Sequence, residues 1–177
     1  MSRGNPAFVG VFAALAYAGS FLLLAIPNAT LSILLVFFAG YLLGKINGLL
    51  VGVFSALLIT LFNPYGLPLL PILAAQVGAY AVIGWSGGLS AHFLPMNSTT
   101  RYLFTLAVLG LLTALIYQVP VSVADAYLFG PFWERLLLSA GFAAITIAAN
   151  ILFFILLFPV LAKLKKVGIF HIQDRDT

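Results

Sequence analysis

Apolar positions in this chain come in long unbroken runs, separated by short clusters of glycine, proline, asparagine and charge. Six runs can be marked: about Ala7 to Ile26, Leu31 to Leu43, Leu49 to Phe62, Leu70 to Leu89, Tyr102 to Val121 and Leu136 to Leu161. Residues that end helices bound them. Pro27-Asn28 follows the first, the turn-rich link Gly44-Lys45-Ile46-Asn47-Gly48 the second, and Asn63-Pro64-Tyr65-Gly66 the third. Pro68 precedes the fourth run and the polar stretch from His92 to Arg101 follows it. None shows the dyad alternation of a membrane barrel. The pattern predicts an all-α integral membrane protein, a bundle of six transmembrane helices. It forms a single domain over 1–177, with a short basic tail from about 162 to 177.

The second and third runs are short, at 13 and 14 residues. That is roughly 20 Å of helix against about 30 Å of hydrocarbon. They read as a re-entrant pair, or as full spans completed by their loops or by local thinning of the bilayer. A pair entering from outside would strand Lys45 in the membrane, which favours true spans.

Composition agrees with the runs: 63% of residues are hydrophobic and 7% charged, with mean hydropathy +1.17, far from the roughly 25% charge of a soluble domain. The basic residues set an orientation. With both termini cytoplasmic, Arg3, Lys45, Arg101, Lys163, Lys165, Lys166 and Arg175 lie inside and only Arg135 outside, as the positive-inside rule requires. Asp125 and Glu134 then fall in an external loop between the fifth and sixth spans. The net charge of +4 forms no basic patch with interleaved aromatics, so no nucleic-acid partner is expected. The lipid bilayer is the expected surrounding.

Chemistry is limited by what the runs lack. None contains Asp, Glu, Lys, Arg or His, whereas ion-coupled carriers usually gather their ion on a buried carboxylate or a broken helix. There is no phosphate-binding Gly-rich loop ending in Lys-Ser or Lys-Thr. Zero cysteines remove disulfides and thiolate sites. His92 and His171 fall on the opposite side from Asp125 and Glu134, so no catalytic group and no metal set is assembled, and neither an enzyme nor a cofactor is expected. Uphill transport would need energy from another polypeptide; facilitated diffusion and a scaffold role survive this argument.

Polar residues gather toward the external ends of the runs. Asn28 and Thr30 lie in the first external loop, Asn63 and Tyr65 in the second, and Gln76 and Tyr80 share one face of the fourth run. Tyr117 and Gln118 end the fifth. Buried amides need partners, which makes Gln76 and Gln118 stronger ligand candidates than loop residues. Tyr65, Tyr127 and Trp133 read equally well as an aromatic belt, and Asn150 as an interhelical hydrogen bond. Small residues recur at i, i+4, i+8 in Gly10-Ala14-Ala18, Gly48-Gly52-Ala56 and Ala140-Ala144-Ala148. Internal packing is the expectation for spans two, three and six. Span one, small on nearly every face, is suited to packing inward with one face and docking a partner with another.

The stretch Phe38-Ala-Gly-Tyr-Leu-Leu-Gly-Lys-Ile-Asn-Gly-Leu-Leu-Val-Gly52, leading to Phe62-Asn-Pro-Tyr-Gly66, resembles the substrate-binding S components of energy-coupling factor (ECF) transporters. The resemblance covers most of the chain and is strongest from Ala13 to Gly88. It implies a prokaryotic plasma (inner) membrane subunit that captures a vitamin or vitamin precursor from outside. Its implied partners are a membrane T component and two ATPase subunits. The family's Ala-x-x-x-Ala docking motif corresponds to Ala14 and Ala18, with Gly10 one turn earlier. Family ligand contacts correspond by position to Asn28, Asn63, Tyr65, Gln76, Tyr80 and Gln118. Biotin-type and riboflavin-type signatures are not evident, and a cobalamin-related ligand is the favoured expectation. The rival expectation is a stand-alone facilitator or scaffold.

Overall fold

A helix that is apolar on every face has no side to offer water and belongs in the middle of a bundle. The second helix, with the sequence SILLVFFAGYLL, takes that place. The computed structural model describes residues 6–23, 26–64, 66–94 and 99–166, with side chains as far as Lys163. These form six α-helices: α1 (Pro6–Phe21), α2 (Ser32–Leu43), α3 (Lys45–Leu61), α4 (Leu70–Ser90), α5 (Thr99–Phe129) and α6 (Phe132–Lys166), with no strand among the described residues. Every residue of α2 except Leu35 is buried, and α2 touches each of the other five helices. Around it the succession α1, α3, α4, α5, α6 forms an open ring. Among the described residues α1 meets only α2 and α3, while α6 meets only α2 and α5. α4, α5 and α6 are long and apolar enough to cross a membrane; α1, α2 and α3, at 16, 12 and 17 residues, are shorter.

Backbone contact between glycines holds α4 against α2 and α3. A methyl group on Gly40 would overlap the Gly84 carbonyl oxygen, and one on Gly48 the same atom. On Gly52 it would meet the Tyr80 carbonyl, and on Gly87 the carbonyl of Phe37. Lipid tails are as apolar as leucine, so helices gain little from burying apolar surface against each other; close van der Waals approach takes over. The small residues of spans two and three therefore pack internally, as their spacing implied. α5 and α6 meet in the same way at Gly110, where an added methyl would lie 2.8 Å from the Ile151 Cα. Beside it the Asn150 side-chain amide donates to the Gly110 carbonyl (2.8 Å) and the Thr113 hydroxyl (2.9 Å), the interhelical role expected of it. Aromatic packing joins α6 to α2, with the Phe37 ring 5.1 Å from Phe154 and 6.0 Å from Phe158.

Several expected boundaries are corrected. The link from Gly44 to Gly48 contracts to Gly44 alone, because its positive φ of 89° turns the chain in one residue, and Lys45 through Gly48 already belong to α3. The external loop between the last two helices contracts to Gly130-Pro131. Asp125 and Tyr127 lie in α5, and Trp133, Glu134 and Arg135 in α6. At roughly 1.5 Å per residue both helices outrun a bilayer core of about 30 Å, so charge is tolerated at their ends. There Arg135 pairs with Asp125 at 3.4 Å and sits over the Phe129 ring. α6 continues helical to Lys166, past the expected start of the tail. The span-six stripe Ala140-Ala144-Ala148 is exposed rather than internal. The inward face of α6 carries Thr146, Asn150, Phe154, Phe158 and Ala162 instead.

Gly84→Val is expected to unfold the bundle or cut its thermal stability in detergent micelles severely, since overpacking alone costs about 1–3 kcal/mol and here the clash is with backbone. Gly78, in the same helix with no atom near its missing side chain, tolerates alanine with little change in melting temperature.

Candidate functional site

The helices alternate in direction, which brings the α1–α2 and α3–α4 connections and the α5–α6 junction to one end. Between them lies a cavity of about 400 Å³ lined by Ser20, Phe21, Ile26, Pro27, Asn28, Ala29, Thr30, Ile59, Asn63, Tyr80, Tyr117 and Thr146. Every wall residue is uncharged. Hydroxyls and two asparagine side chains alternate with aliphatic and aromatic surface, the mixture that orients a small molecule while keeping its desolvation cheap. Asn28 adopts a left-handed backbone, φ 60°, a conformation asparagine tolerates better than most residues, and this turns the first connection over the cavity.

Two hydrogen-bonded chains brace the walls. In the first, the Thr30 and Ser32 hydroxyls are 2.7 Å apart, and Ser32 is 2.5 Å from the Tyr80 hydroxyl. Tyr80 meets the Tyr117 ring edge-on, centroids 5.3 Å apart. Behind Tyr117 the Gln76 amide is its hydrogen-bond partner, and Gln76 Oε1 accepts from the Thr60 hydroxyl at 3.1 Å. In the second chain Gln118 Nε2 donates to Ser122 (3.2 Å). The Thr146 hydroxyl has three acceptors in reach: the Asn28 carbonyl (3.2 Å), the Phe142 carbonyl (3.2 Å) and Gln118 Oε1 (3.5 Å). One hydroxyl proton serves one good acceptor at a time, so Thr146 can exchange a partner for a ligand without becoming orphaned.

Of the residues singled out from sequence, Asn28, Thr30, Asn63, Tyr80 and Tyr117 line the cavity. Gln76 and Gln118 are not among the lining residues. Each is tied to protein hydroxyls behind the wall, so the loop asparagines, and not the amides ranked above them, line the cavity. Tyr65 lies outside the described residues. Ser20, Thr60 and Thr146 were not singled out; a lone hydroxyl in an apolar run carries no sign of what it faces. Away from the cavity, Gly10, Ala14 and Ala18 are all exposed on α1, whereas Val9, Phe12, Ala13, Ala16 and Gly19 on its other side are buried. Comparison of the chain with protein-family models, curated proteins and solved structures finds no match.

Tyr80→Phe removes the hydroxyl that closes the first chain and is expected to cost about 0.5–1.5 kcal/mol, read as a lowered melting temperature. Gln76→Leu leaves the Thr60 and Tyr117 hydroxyls without their amide partner. It is expected to destabilise the protein about as much, read again as a lowered melting temperature.

Proposed function

We propose that this chain is a membrane-embedded capture subunit for a vitamin or vitamin precursor, of the ECF S-component kind. In this reading all six helices cross the bilayer, the short ones with help from their connections, and both termini are cytoplasmic. The observation that carries it is a cavity of small-molecule size lined by hydroxyls and asparagines, at the end of the bundle opposite Lys45, Arg101 and Lys163. The outer end is where a capture protein meets its ligand. Among the described residues the buried polar side chains are all uncharged, namely Ser32, Ser55, Thr60, Ser90, Thr113, Ser122, Thr146 and Asn150. A bundle so built has no titratable group to couple transport to an ion gradient, and energy comes from a T component with its pair of ATPases.

The exposed small-residue face of α1 supports the partnership, because a helix with a smooth outer face lets a partner helix approach closely. Mechanistically, the ligand enters between the two connections, and the hydroxyls and amides on the walls replace its water. Release toward the cytoplasm is then driven by the ATPase-bearing partner.

Ala14→Trp is expected to abolish co-purification of a T component and ATPases from native membranes, and uptake with it. Ligand binding to the isolated subunit stays within about twofold, since Ala14 faces away from the cavity. Loss of binding as well would refute a docking role. Ion-gradient-driven accumulation by the lone polypeptide in vesicles would refute the capture reading itself, and downhill passage without partners would favour a facilitator.

A further inference from the structure

Among the described residues the charge around the cavity can be accounted for. Its lining residues are all uncharged, and the undescribed positions nearest in sequence, Leu24, Ala25 and Tyr65, carry no formal charge either. Among the described residues the charged side chains that share this end of the bundle are Asp125, Glu134 and Arg135. Asp125 and Arg135 neutralise each other at 3.4 Å. Asp125 stands seven residues beyond Gln118, about 10 Å along α5, and Glu134 twelve residues before Thr146, about 18 Å along α6; Glu134 is exposed. The amino terminus of α2 would favour an anion, but the Thr30 hydroxyl already accepts its first N–H, from Ser32, at 3.2 Å, and Ser32, Ile33 and Leu34 are buried. Among the described residues nothing at the cavity offers a counter-charge to a carboxylate, a phosphate or an ammonium group.

Size narrows the ligand further. A cavity of about 400 Å³ is at the low end of the range for small-molecule sites, about 300–1,000 Å³. The lining also offers aromatic and aliphatic surface: Phe21, Ile59, and the Tyr80–Tyr117 pair set edge to face. Such surfaces suit the faces of a flat ring, and the hydroxyls and amides suit its rim, where they can donate or accept.

We infer that, within the capture reading on which this rests, the ligand is compact and uncharged at neutral pH. It is a one- to three-ring planar molecule with hydroxyl, amide or ring-nitrogen groups. Molecules bearing a carboxylate, phosphate or fixed cation are excluded, as are intact corrinoids, whose macrocycle and nucleotide arm exceed the chamber. The favoured expectation from the resemblance, a cobalamin-related ligand, narrows accordingly to an uncharged building block.

The test uses the purified full-length chain in detergent micelles or nanodiscs, with thermal shift and calorimetry against matched pairs of probes. The pairs are nicotinamide with nicotinate, pyridoxine with pyridoxal 5′-phosphate, and riboflavin with its 5′-phosphate; cyanocobalamin tests size. Mass spectrometry of small molecules that co-purify runs in parallel. The expected result is a neutral probe, or a neutral co-purifying molecule, bound at least tenfold more tightly than its charged counterpart. Its affinity should be unchanged between low and high salt, as screening acts only on charge. Thr146→Val should weaken that binding at least fivefold, and Asn63→Leu serves the same purpose if the first variant does not fold. Equal or tighter binding of a charged counterpart, tight binding of cyanocobalamin, or full affinity in these variants overturns the inference and leaves the capture reading standing. No bound probe and no co-purifying molecule overturns the capture reading, and the inference with it.

Discussion

Close approach of three backbones sets the geometry on which the rest of this bundle depends. Gly40 of α2, Gly48 and Gly52 of α3, and Gly84 and Gly87 of α4 put main chain against main chain, leaving no room for a single added carbon at any of them. Where burial of apolar surface supplies little drive between helices, this kind of packing must supply the cohesion. It also fixes positions. Tyr80, one helical turn from Gly84, is held so that its hydroxyl reaches Ser32 at the start of α2. The cavity floor is therefore a direct result of the glycine contacts beneath it.

Above that floor the polar design is wholly neutral. Hydroxyls and amides satisfy one another across helices, Thr60 to Gln76 and Thr146 to the Asn28 carbonyl, so that few buried groups go unpaired in a setting where an orphan is costly. The Asn150 Oδ1 and the Ser55 hydroxyl are the described side-chain atoms inside the bundle that lack a partner. Neutral networks of this kind can be rearranged hydroxyl by hydroxyl, which suits binding. Among the described residues they include no carboxylate, ammonium or imidazole that would hold a charge inside the bundle.

How much of this was legible in the sequence depended on whether a residue's pattern determined its neighbour. Six helices were legible from the runs, and the inward packing of Gly48, Gly52 and Ala56 from their spacing. The same spacing in Ala140-Ala144-Ala148 misled, because alanine at every fourth position says nothing about which face meets protein, and that face of α6 is exposed. The loop expected around Asp125 and Glu134 turned out to be two helix ends, since charge reads as loop only when helices stop at the membrane surface. Asn28 and Asn63 could be placed at one end of the bundle from their position between runs, and both line the cavity there. Gln76 and Gln118 were correctly read as amides in need of partners, but pattern alone does not distinguish a ligand from Thr60 or Ser122.

The two sites of tightest backbone contact divide the bundle mechanically. One piece is α2, α3 and α4, locked through their glycines; the other is α5 and α6, locked at Gly110. What joins the pieces is made of side chains: the Tyr80–Tyr117 ring contact, the hydrogen bonds from Gln76 to Tyr117 and from Thr146 to the Asn28 carbonyl and, further down, the phenylalanines of α2 and α6. Asn63 and Tyr80 belong to the first piece and its connections, Tyr117 and Thr146 to the second. A molecule resting against both would act as a rivet between them.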